Sequence, residues 1–180
     1  ALGGAGRGGP TESRGLRRSI VDTPTHDPNR SGARSHRGPH RRATRRHRRR
    51  VRKGARRAEE LFYVDWFRDL GVRMVLSTED GSRGERGRII APLEQALRAR
   101  AAEQPVTLYA CGPEGMLAAT ASVAATFNRP CQVSVERTMG CGMGGCYSCV
   151  VPMRDDQGQR HHVRSCLAGP VLDASRIFWD

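Results

Sequence analysis

The sequence predicts an α/β protein in three parts: an unstructured basic segment over residues 1–53, part of a helix-covered parallel sheet over 54–130, and a small cysteine module over 131–180. Three observations carry this reading. Strand-like apolar runs alternate with stretches of helical periodicity between residues 61 and 136, the pattern of a parallel sheet with crossover helices. Four of the six cysteines crowd between positions 141 and 166. Charge is divided very unevenly along the chain: of the formal net +13, residues 1–57 carry +15 and the remainder −2.

The first part contains no Phe, Tyr or Trp and includes the run "HRGPHRRATRRHRRRVRKGARR". Such a stretch buries too little apolar surface to offset roughly 1–2 kcal/mol per residue of backbone ordering, so disorder is expected. Its arginines are also expected to be unable to form buried parallel strands, because unpaired buried charges are costly. A basic arm for RNA, DNA or acidic lipid is the functional alternative. Interleaved aromatics, which stack on bases, are missing, so nucleic acid is not expected as a partner. The bias towards Arg, Gly, Pro, Ala and His is what an off-frame reading of GC-rich DNA gives, so residues 1–53 are expected not to be a natural folded part of the protein.

From residue 58 the character changes. Leu61, Phe62, Phe67 and Leu70 fall at helical spacing, and 71–78 ("GVRMVLST") reads as a buried strand. The turn "EDGSRGERG" leads to a helix around "IIAPLEQALRARAA", then to the strand "VTLYACG" from Val106. Pro113 suits a helix start and opens "PEGMLAATASVAATF"; the strand "CQVSVE" (131–136) follows. Together these make about half of a Rossmann-like sheet. No run reaches the roughly 18–20 apolar residues of a membrane span, and no secretory signal is evident, so a cytoplasmic location is expected.

Residues 137–151, "RTMGCGMGGCYSCVV", hold three cysteines and four glycines. Cys141, Cys146 and Cys149 are spaced C-x4-C-x2-C, and Cys166 follows after sixteen intervening residues. This is the plant-type pattern for a [2Fe-2S] cluster, in which four thiolates hold two irons. Gly140, Gly142, Gly144 and Gly145 let the loop wrap a small anionic object and turn backbone N–H groups towards the sulfurs. A four-cysteine zinc site remains an alternative, although zinc more often uses two knuckle-like pairs. Cys131 lies in a strand and is expected to be a small buried hydrophobe. His161 and His162 are expected to be exposed hairpin residues rather than a Rieske-type ligand pair.

"YACGPEGM", the cysteine loop and "RSCLAGPVLDASRIFW" together resemble the C-terminal half of the electron-transfer subunit of class B, NAD-dependent dihydroorotate dehydrogenase, of the ferredoxin-NAD(P) reductase family. The resemblance runs from about residue 54 to the end. Subunits of sulfide dehydrogenase and of NADH-dependent ferredoxin:NADP oxidoreductase are similar.

The resemblance implies an oxidoreductase subunit of pyrimidine biosynthesis working in a hetero-oligomer. NAD would bind the Rossmann-like part, FAD an upstream barrel, and the cluster would exchange single electrons with the flavin of a catalytic partner. It also implies that Cys111, Gly112 and Pro113 lie on the nicotinamide side, and that Thr78, Asp80 and Ser82 belong to a loop near the adenosine half. The flavin motif Arg-x-Tyr-Ser/Thr and the loop GGGxGxxP are absent from the sequence. A truncated, ferredoxin-like carrier that keeps only the cluster and a docking face is therefore the second functional expectation.

Overall fold

The computed structural model describes residues 19–23, 50–100 and 104–179. Its strands are β1 (Ser19–Thr23), β2 (Arg50–Ala55), β3 (Arg73–Thr78), β4 (Glu85–Arg86), β5 (Thr107–Cys111), β6 (Cys131–Ser134), β7 (Val150–Arg154), β8 (Arg160–Arg164) and β9 (Val171–Asp173). The helices are α1 (Val64–Asp69), α2 (Ile90–Arg98), α3 (Glu114–Thr126) and the short α4 (Ser165–Ala168). Seven strands form one sheet in the order β4-β3-β2-β1-β5-β6-β9, while β7 and β8 make a separate antiparallel hairpin. β2, β3 and β4 run parallel, as do β5 and β6, matching the expected α/β pattern.

The larger of two buried clusters packs under α2 and α3, and a smaller one, Ala55, Leu61 and Val64, lies beside α1. Ile20, Leu108, Ala110 and Val133 meet Ile89, Leu93 and Leu97 on the α2 side and Leu117 and Ala124 of α3 in one continuous cluster. Positions 89, 93 and 97 recur every four residues, which puts them on one helical face. α3 is rich in alanine and approaches closely; its buried Thr120 hydroxyl donates to the Met116 carbonyl at 2.8 Å, so the polar atom costs little there. α1 starts later than the periodicity suggests, because Tyr63 just before it adopts a left-handed backbone (φ 61°).

Two stretches inside residues 1–53 differ from expectation. Ser19–Thr23 sits mid-sheet, antiparallel to both β2 and β5, and so separates the two parallel halves. Arg50–Ala55 is a strand parallel to β3, although Arg52 and Lys53 are each only 1% exposed. Contrary to expectation, buried basic residues are thus accommodated in a parallel strand, for a physical reason. The amine of Lys53 donates to the Phe62 carbonyl and lies 5.8 Å from the ring centres of both Tyr63 and Phe67, which offsets part of its desolvation. Burial still pushes its pKa below the ordinary lysine value. On the opposite face Arg52 lines an open cavity of about 660 Å³ beside α2, together with Arg50, Arg73, Glu85 and Gln95. The rest of the basic segment, 1–18 and 24–49, lies outside the described residues.

The turn from β3 to β4 depends on Gly84, which has φ +77° and where a Cβ would stand 2.2 Å from the Leu76 carbonyl oxygen. Gly71 is also left-handed (φ +69°) but has nothing within 4 Å of that position. Gly71→Ala is expected to cost only the backbone term, about 1 kcal/mol. Gly84→Ala should cost clearly more, adding the displacement of backbone. Urea unfolding of the two variants checks this; equal losses would show that the β3–β4 turn yields freely.

Candidate metal centre

The cysteine loop leaves the sheet after β6 and returns as β7. Its lower end is closed by Ser148, whose hydroxyl donates to the Thr138 carbonyl (3.1 Å) and accepts from the Gly140 N–H (3.0 Å). At the upper end the Cys149 carbonyl accepts from both the N–H (3.1 Å) and the hydroxyl (3.0 Å) of Ser165, the first residue of α4. Arg164 clasps the loop from β8, donating to the Gly144 carbonyl at 2.7 Å while its guanidinium lies 4.8 Å from the Tyr147 ring centre. Glycine is required at Gly140, where a Cβ would fall 2.8 Å from Ser148 Oγ and 2.9 Å from Cys146 Sγ.

Within this frame the four sulfurs stand as two pairs. Cys141 Sγ accepts from the N–H groups of Gly145 (3.3 Å) and Cys146 (3.4 Å). Those donors, that of Cys146 first, hold the Cys141 thiol down at about 6, well below the usual thiol range. Cys149 and Cys166 form the second pair: hydrogen bonds from Cys166 to the Cys149 sulfur lower the Cys149 pKa, and the same contact raises that of Cys166. Cys166 also feels the charge of Cys141, which joins the two pairs electrostatically.

Among the described residues no three His, Cys, Asp or Glu side chains converge as they would around one metal ion. In a [2Fe-2S] cluster each iron takes two of the four protein ligands. Backbone N–H groups reach sulfurs in both pairs, Cys146 N–H at Cys141 and Cys166 N–H at Cys149, and four thiols so supported supply the donor set such a cluster takes.

The positions expected to contact a nucleotide are mostly not brought together. A cavity of about 460 Å³ opens beside the C-terminal ends of β2 and β3 and the start of α3. Pro113 lines it, whereas Cys111 and Gly112 do not. Thr78 is fully buried, and its hydroxyl exchanges hydrogen bonds with Arg83 within the turn. Asp80 accepts from the N–H (2.9 Å) and hydroxyl (2.6 Å) of Ser82, contacts that lower its pKa, and Ser82 Oγ accepts from the Ala58 N–H (2.8 Å). These three residues build the turn instead of lining the cavity. Gly54, Ser77, Glu79, Arg88 and Met116 line it instead. The available signal was their position: ligands of open α/β sheets bind beyond the carboxyl ends of strands. His161 and His162 lie in the β7–β8 hairpin; His162 is exposed as expected, whereas His161 is half-buried with its Nδ1 out of solvent.

Residues 136–178, which contain all four cysteines of the two pairs, match the family described as the iron-sulfur cluster binding domain of dihydroorotate dehydrogenase B. This segment belongs to that family. The matched segment spans the loop, the hairpin and α4. Over a longer stretch, the chain is 35% identical across 120 residues to the dihydroorotate dehydrogenase B (NAD(+)) electron transfer subunit of Caldanaerobacter subterraneus, covering 67% of this chain and 46% of the relative. The corresponding subunit of Bacillus caldolyticus is 38% identical over 124 residues, 69% of this chain and 44% of that one. A solved structure of the NADH-dependent reduced ferredoxin-NADP oxidoreductase, studied for flavin-based electron bifurcation, superposes with a TM-score of 0.57 at 25% identity, covering 72% of this chain and 44% of that one. The chain spans somewhat under half the length of these relatives.

Cys131 stands apart from the cluster domain, buried in β6 with its pKa pushed up to about 12 by burial and then by the charge of Asp173. A thiol raised in the folded state adds stability below its unfolded pKa, and that stability is lost as pH rises through and beyond the ordinary thiol range. Raising the pH from 8 to 10 should therefore lower the unfolding free energy more in the wild type than in Cys131→Val. Equal losses in the two proteins would show that Cys131 is not desolvated.

Proposed function

We propose that this chain is the NAD-side and iron–sulfur part of an electron-transfer subunit of the dihydroorotate dehydrogenase B type. It passes electrons between NAD and the flavin of a catalytic partner subunit within a hetero-oligomer, in the service of pyrimidine biosynthesis. The observation that supports this reading is the family match over residues 136–178, which holds all four cysteines, together with the N–H groups of Gly145 and Cys146 aimed at the Cys141 sulfur. The four cysteines are the cluster ligands in this reading. When bound, a [2Fe-2S] cluster supplies a one-electron station.

The chain's own residues do the rest. Gly145 and Cys146 aim N–H groups at the Cys141 sulfur, which favours its charged, ligating form. Arg164 and Ser165 fix the spacing between the loop and α4. Met143 (82% exposed), Met139, Tyr147 and Leu167 leave an apolar rim around the loop, suited to closing over the cluster when a partner docks. Arg137 forms a two-pronged ion pair with Glu114 (3.1 and 3.3 Å), tying the base of the loop to the first turn of α3, which borders the 460 Å³ cavity. That cavity falls within the usual size of cofactor sites, and its Arg88 and Glu79 supply charged groups for the polar parts of NAD.

FAD is proposed from the relatives' family alone, since the described strands form one open sheet and one hairpin, neither of them a flavin-holding barrel. A ferredoxin-like cluster carrier is the second reading. No helix among the described residues is long and apolar enough to cross a membrane.

Anaerobically purified protein is expected to contain two irons and two sulfides, with little zinc. Serine at any of the four proposed ligands should abolish or distort the spin-resonance signal of the reduced sample, while Cys131→Ser should leave it intact. Flavin bound in the same preparation supports the full electron path; a flavin-free cluster protein supports the carrier. Gly115 lines the cavity with open space where a side chain would go. Gly115→Leu should weaken NADH binding about tenfold or more, the loss of roughly 1.4 kcal/mol of fit, as read by fluorescence titration. Unchanged affinity would place the nucleotide elsewhere.

A further inference from the structure

Ser148 is not a ligand in any reading above, yet its hydroxyl oxygen lies 3.1 Å from Cys146 Sγ. This is a close approach for an oxygen–sulfur hydrogen bond, and it exists because Gly140 leaves the space empty. We propose that Ser148 is a positioning residue that raises the reduction potential of the cluster by donating its hydroxyl proton to the Cys146 sulfur. The inference rests on the proposed cluster-binding role of Cys146.

Ser148 Oγ already accepts from the Gly140 N–H, so the oxygen is held in place whichever way its own proton points. That single proton has two acceptors at equal distance, the Thr138 carbonyl and the Cys146 sulfur, each 3.1 Å away. A free thiol can donate to Oγ, leaving the hydroxyl proton for Thr138. A metal-bound thiolate has no proton and can only accept. The proton then has a charged acceptor on one side and a neutral carbonyl on the other, and charge-assisted hydrogen bonds are about twice as strong.

Reduction adds one negative charge to the cluster and its sulfurs. A hydrogen bond to sulfur is stronger in that state, so the reduced form is favoured and the potential rises. No proton is transferred; the hydroxyl only turns towards the sulfur. At the second pair the Ser165 hydroxyl donates to the Cys149 carbonyl at 3.0 Å and also acts on the Cys149 sulfur, a smaller influence there than the hydrogen bonds from Cys166.

The test is a redox titration of the iron-loaded protein at fixed pH, followed by spin resonance, in the wild type, Ser148→Ala and Ser148→Thr. The alanine variant should shift to a more negative midpoint, and threonine, which keeps a hydroxyl, should restore most of it. Thr126→Ala, which removes a hydroxyl bonded to Ser122 far along α3, should not move it. Equal midpoints in iron-loaded wild type and Ser148→Ala overturn this proposal alone. If both Ser148 variants lose the iron that the wild type holds, the hydroxyl serves assembly rather than tuning, and the proposal is likewise overturned. An iron-free wild type sinks the cluster reading itself and this inference with it.

Discussion

Two hydrogen bonds onto one carbonyl hold the candidate centre together. The N–H and hydroxyl of Ser165 both reach the Cys149 oxygen, at 3.1 and 3.0 Å, and Ser165 is buried. They join the end of the glycine-rich loop to the start of α4, and so bring Cys149 against Cys166 across a gap of sixteen residues. Each bond contributes only about 0.5–1.5 kcal/mol net, but leaving the carbonyl buried and unmet would cost more. A loop of small residues has little apolar surface with which to hold a shape. Such pins, with Ser148 at the other end and Arg164 across the middle, set where the sulfurs stand.

The sheet supplies the foundation on which those pins work. Val151 and Met153 of the hairpin belong to the same buried cluster as Leu108 and Val133, so the hairpin that carries the loop's return is packed on the sheet's core. β9 then pairs with β6 at the sheet edge, and the Trp179 indole donates to the Ala174 carbonyl at 3.1 Å. The cysteine module is thus anchored both before and after α4. The Arg137–Glu114 pair adds a polar link between the loop's base and α3. Electron transfer favours such rigidity, because a centre that hardly moves on gaining charge needs little reorganisation.

Much of this was legible in the sequence because its signals are local. β3, α2, β5, α3 and β6 follow from apolar runs and helical spacing, and the x4-x2 cysteine spacing with its glycines is a demand of chemistry on a short loop. The strand at Arg50–Ala55 was not legible: a pattern that reads arginine and lysine as exposed cannot anticipate a lysine amine held by the Phe62 carbonyl and two aromatic rings. β1 was missed for a related reason, since a five-residue strand amid basic sequence gains its identity only from the two neighbours it joins. In the turn at 78–82, composition could not tell hydroxyls and a carboxylate that serve a ligand from ones that satisfy each other. Thr78, Asp80 and Ser82 hydrogen-bond within the turn.

The central claim is that two irons share four cysteine sulfurs in two pairs. Iron-edge X-ray absorption on the anaerobically purified chain measures this most directly. The account predicts that each iron is surrounded by four sulfurs, two from sulfide and two from cysteine, with a second iron as its next neighbour. Oxygen or nitrogen neighbours around the iron, or an iron atom with no metal beside it, would contradict it.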